Sequence, residues 1–91
     1  MTTQDKIIQF TNNLQKLLLE KNKRYGDSAL NPLAIFNKTG TINSIEQRLD
    51  DKLSRIKNST QLRKNDIIDL LGYGVLLCIA NDWIELNDLI D

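Results

Sequence analysis

Apolar positions in this chain recur every three or four residues in two long stretches and become almost continuous in a third. From Thr3 to Lys23, Ile7, Phe10, Leu14, Leu17 and Leu18 share one side of a helical projection, with Lys6, Asn13, Lys16 and Glu20 opposite. This spacing predicts a first helix over residues 3–23, capped by Thr2 or Thr3. A second stripe, Ile45, Leu49, Leu53 and Ile56, predicts a helix over 44–57. Asn43 followed by Glu46, or Ser44 followed by Gln47, would open it as a capping pair, and Lys57-Asn58-Ser59-Thr60 would close it. A third helix is expected over 61–80. From Ile67 to Ala80 it is apolar nearly all round, the pattern of a helix covered on every side. Asn81-Asp82 either breaks it before a short helix over 82–90, with Asp82 and Glu85 as a capping pair, or the helix continues to the terminus.

Residues 24–43 carry no such stripe. They hold the only proline, two of the four glycines, and the turn formers Asp27, Ser28, Asn31, Asn37 and Asn43. About twenty residues is long for a loop without structure, so a functional role or a short turn at Ala34-Ile35-Phe36 is expected. No strand pattern or internal repeat is visible. The expected fold class is all-α: a compact three- to four-helix bundle forming a single domain over 1–91. Gly72 and Gly74 inside the third helix each cost about 1 kcal/mol relative to alanine, which predicts close approach of a neighbouring backbone or ligand.

Composition narrows the function classes. A chain of 91 residues buries a small core, so completion by homo-oligomerisation is expected. Lysine plus arginine number 12, as do aspartate plus glutamate, which argues against nonspecific nucleic-acid binding through a basic field. Histidine is absent from the sequence, excluding His-based catalytic dyads and His-containing metal sites. The single cysteine, Cys78, reads as a small buried hydrophobe and cannot form an internal disulfide, which fits a reducing cytoplasm. The first residues lack a signal-peptide core, and the Leu70–Ala80 run is too short to span a bilayer. A cytoplasmic protein without membrane association is expected. Trp83 reads as core or subunit interface.

Two groups of charged residues are candidates for chemistry. Asp66, Asp69 and Tyr73 form one stripe at the start of the apolar helix, where a carboxylate needs a cation, metal or ligand. Negative charge also suits a helix start through the macrodipole. With Glu46 and Asp50 on the preceding helix, these aspartates offer oxygen ligands to magnesium if the helices pack antiparallel. The second group is cationic. Lys21, Lys23 and Arg24 precede Tyr25, and Arg48, Lys52 and Arg55 line one edge of the second helix. Such cations suit phosphates, and a tyrosine can stack on a base. Solvated acidic and basic faces are the alternative for both groups.

The segment Asn65-Asp66-Ile67-Ile68-Asp69-Leu70-Leu71-Gly72-Tyr73 resembles the Glu-x-x-Asp segment of the all-α, MazG-like nucleoside triphosphate pyrophosphatases. Lys23-Arg24-Tyr25-Gly26-Asp27-Ser28 and Arg48-Leu49-Asp50-Asp51-Lys52-Leu53-Ser54-Arg55-Ile56 resemble small phage proteins related to that group, the nucleotide-modification-associated domain proteins. The resemblance spans roughly residues 21 to 81 and implies an all-α fold that oligomerises and binds nucleotides near its acidic helix faces. Asp66 and Asp69 match the second acidic motif. The first, Glu-Glu-x-x-Glu in the enzymes, is not intact: Glu46, Asp50 and Asp51 are acidic but differently spaced. That departure weighs against metal-dependent hydrolysis more than against nucleotide binding. Some small phage proteins sequester nucleotide signals of host defence without catalysis, so the resemblance implies an anti-defence role in the host cytoplasm.

The expected function is therefore non-catalytic binding of a nucleotide or cyclic nucleotide. Lys23, Arg24, Tyr25, Arg48, Lys52, Arg55, Asp69 and Tyr73 are the candidate ligand-binding residues, and the 24–43 loop would cover the ligand. The alternative is a magnesium-dependent pyrophosphohydrolase whose metal is held by Glu46, Asp50, Asp66 and Asp69. A structural interaction module, with both charged groups solvated, is the third reading.

Overall fold

The computed structural model describes residues 1–30 and 40–90. Three α-helices and no strand occur among them: α1 (Thr3–Tyr25), α2 (Thr41–Asn58) and α3 (Lys64–Ala80), followed by one 3₁₀ turn at Asn87–Leu89. The all-α, bundle-like architecture expected from the periodicity is the one that forms. None of these helices is long and apolar enough to cross a membrane.

Local chemistry explains most helix ends. Thr2 Oγ1 accepts from the Asp5 N–H at 3.1 Å and Asp5 Oδ2 accepts from the Thr2 N–H at 3.0 Å, a reciprocal capping box. α1 runs two residues beyond the expected Lys23, because nothing stops Arg24 and Tyr25 before Gly26 adopts the left-handed conformation at φ 60°. α2 begins at Thr41, ahead of the expected Asn43 or Ser44. Gly40 takes the extended N-cap conformation and its carbonyl accepts from the Ser44 N–H at 3.0 Å, so both expected caps lie inside the helix. Asn31, Pro32, Ala34, Ile35, Phe36 and Asn37 fall outside the described residues.

At the end of α3, Asp82 sits at φ 63°. Trp83 donates its N–H to the Cys78 carbonyl at 2.8 Å and Asp82 to that of Ile79 at 2.9 Å. This pair of bonds is a Schellman motif with aspartate in the position glycine usually takes. It ends α3 at the expected Asn81-Asp82 break. Beyond it only the 3₁₀ turn forms, so neither a continuous helix nor a short one over 82–90 exists. Glu85 accepts from the Asn87 N–H instead of pairing with Asp82.

The helices close tightly on one side only. α2 against α3 is the extensive helix–helix contact, and Ile45 is the one large side chain among the described residues that is fully buried. α1 reaches α3 through Leu18 and Lys21. A Cβ placed on buried Gly72 would meet Leu18 Cδ2 at 3.1 Å, so this glycine serves a close approach by a side chain. A Cβ on Gly74 would meet no atom of the described residues within 4 Å, so no neighbouring backbone among them approaches it.

Several positions expected in a core are open. On α1, Leu14 and Leu18 are half-buried, while Ile7 and Phe10 of the same stripe remain 57% and 45% exposed. On α2, Leu53 is exposed, and Lys52, two turns after Ile45, takes the inward position on the stripe. On α3, Leu71, Val75 and Ile79 form an exposed stripe at intervals of four, so the helix is not covered all round within one chain. Cys78 is half-buried rather than buried, and Trp83 is exposed. The radius of gyration is 15.0 Å, against about 12 Å for a compact domain of this length.

Candidate functional site

The three helices meet at one carboxylate. Asp69, in the second turn of α3, accepts from Lys21 of α1 on Oδ1 at 3.3 Å and faces Lys52 of α2 on Oδ2, also at 3.3 Å. The Lys52 side chain is 15% exposed and that of Asp69 28%, while Lys21 is more open. Lys52 lays its methylene stem along the α2–α3 seam and delivers its ammonium to the rim, as long cationic side chains do on apolar surfaces. Burial pushes the Asp69 carboxyl up, but hydrogen bonds from Lys52 and then Lys21, with their charges, outweigh it. The carboxyl is held below its ordinary value of 3.8.

A second contact lies one turn along the same seam. Arg48 is four residues before Lys52 and Tyr73 four after Asp69, so the two pairings follow one antiparallel register. Arg48 Nη1 donates to Tyr73 Oη at 3.4 Å, and the guanidinium carbon lies 5.8 Å from the ring centroid. This places the cation toward the hydroxyl end of the ring, a long and weak contact. Lys21, Lys52, Arg48 and Asp69 together carry three positive charges and one negative.

The remaining candidates lie elsewhere. Arg24 pairs with Glu20 on its own helix at 3.0 Å, and Lys23, Arg24 and Tyr25 are exposed. Tyr25 is one turn beyond Lys21 on the same α1 face. Arg55 is exposed. Asp66 is buried, at 8% exposure, in the first turn of α3, with no hydrogen bond or ion pair among the described residues. Its charge suits the helix N-terminus. Glu46 and Asp50 are exposed. No three carboxylate or thiol groups among the described residues are gathered so as to hold a metal ion. The proposed magnesium set of Glu46, Asp50, Asp66 and Asp69 is therefore not assembled here. A shallow surface depression between Leu30, Thr41, Ile42 and Ile79 shares no residue with the charged cluster.

Pairing of Lys21 with Asp69 across helices was not among the sequence expectations. The signal was present, since Lys21 continues the Leu14, Leu18 stripe of α1. Comparison with protein-family models, with curated proteins and with solved structures finds no match to this chain.

Proposed function

We propose that this chain is a non-catalytic nucleotide-binding protein that works as a homo-oligomer and sequesters a nucleotide signal of phage defence. The observation that carries the binding reading is the convergence of Lys21 and Lys52, from different helices, on the part-exposed carboxylate of Asp69 beside Arg48 and Tyr73. Lysines and arginine in excess over one aspartate form a local cationic rim in a chain of zero net charge. Phosphate oxygens are the ligand atoms that such point charges and forks bind best. Tyr25, one turn from Lys21 and exposed, would contact a base, and Asp69 keeps the two ammonium groups at one locus. Both Asp69 oxygens already face lysines, and no group of three carboxylates forms among the described residues, which favours binding over metal-dependent turnover.

The test is incubation with a panel of linear and cyclic nucleotides plus magnesium, followed by desalting and chromatography of retained ligand and any released product. Lys52→Ala and Arg48→Ala are each expected to weaken retention about tenfold, as for loss of one charge-assisted contact. Chelating magnesium should leave retention unchanged. No retained nucleotide across the panel defeats the reading. So does release of a monophosphate and pyrophosphate in proportion to protein, lost in Asp69→Asn.

A further inference from the structure

We infer that a second copy of this chain covers the open half of the α1 stripe, at Ile7 and Phe10, together with the uncovered α3 stripe of Leu71, Val75 and Ile79. The inference rests on the assembly part of the reading above and adds where the chains meet. The first argument is area. The chain exposes 7848 Å² for a mass of 10.4 kDa. A compact monomer of that mass exposes about 5,400 Å², roughly 2,400 Å² less. An obligate homodimer buries roughly 2,000–5,000 Å² over both partners, about 1,000–2,500 Å² on each, so the excess on one chain matches the upper end of what such an interface removes.

Continuity is the second argument. Ile7, Phe10, Leu14, Leu18 and Lys21 occupy one face of α1, and Leu18 and Lys21 at the end of that face already meet α3. The other end presents the same apolar chemistry and stays exposed at Ile7 and Phe10. Both open stripes occur on every copy, as a two-fold, self-complementary interface requires. The deficit is also constant. A chain whose described residues fully bury one large side chain needs its partner whenever it is folded, and a further copy of itself is always at hand. Zero net charge sets up no long-range repulsion between copies.

Light scattering on the full chain, without nucleotide, tests this at micromolar concentration. The expected mass is at least twice 10.4 kDa. Phe10→Lys and Val75→Glu should each shift it toward the single-chain mass, while Leu53→Lys, on the outer edge of α2, should leave it unchanged. If either variant unfolds, the wild-type melting temperature decides, because it must rise with protein concentration when folding and assembly are linked. A single-chain mass with a concentration-independent melting temperature overturns assembly itself. An oligomeric mass that Leu53→Lys lowers and folded Phe10→Lys and Val75→Glu do not overturns the surface alone. Neither result bears on nucleotide retention, which is read separately.

Discussion

Asp69 is the residue at which side chains of all three helices meet. Its depressed pKa means that the folded chain holds the carboxylate ionised more firmly than the unfolded chain does. The stability it contributes is present above the ordinary value of 3.8 and is lost as pH falls below that value through the folded pKa. Wild type and Asp69→Asn should therefore differ at neutral pH and converge below pH 3.8 in chemical denaturation. The neutral-pH difference is expected to be about 1–2 kcal/mol, between an exposed ion pair and a buried one. A constant difference across the acid range would remove the triad from the stability of the fold. Part of this cluster was visible in the sequence: Lys21 follows the Leu14, Leu18 stripe and Asp69 interrupts the most apolar helix, whereas Lys52 stands beside the expected α2 stripe and turns inward in place of Leu53. What spacing alone withheld was which charged residues would meet. Lys23, Arg24 and Arg55 have the same charge but lie off the seams, and only packing separates the two kinds.

At the scale of elements, the two helical glycines make opposite predictions. Gly72→Leu forces a side chain into the space held by Leu18 and should destabilise by about 1–3 kcal/mol, as overpacking does. Gly74→Ala meets no atom of the described residues and should gain up to about 1 kcal/mol from helix propensity. Thermal unfolding followed by circular dichroism separates them, and equal effects would mean that α1 does not press on α3 at Gly72. Helix existence and type were readable from period alone, because three- and four-residue spacing is a direct image of helical geometry. The ends were less so. Gly40 starts α2 through its backbone conformation, with no side-chain bond to advertise it, whereas the sequence drew attention to Asn43 and Ser44. The all-round apolarity of α3 pointed to complete cover, which one chain with two neighbouring helices does not provide.

For the whole molecule, a radius of gyration of 15.0 Å and a part-docked α1 predict a gradient of local stability. In dilute protein, amide hydrogen exchange should be fastest in residues 3–13 of α1, despite the Thr2–Asp5 capping box, and slowest where α2 and α3 face each other around Ile45. Uniform protection along α1 in a confirmed single chain would contradict the described packing. The Schellman turn after α3 has a separate consequence. It pins the backbone of Trp83 through the 2.8 Å bond to Cys78, yet leaves the residue 60% exposed. Trp83 is the only indole in the sequence. The chain thus carries one optical probe with a fixed root and a solvent-facing ring. Its emission colour and its access to a soluble quencher read out the surroundings of the C-terminal end of α3 without any attached dye.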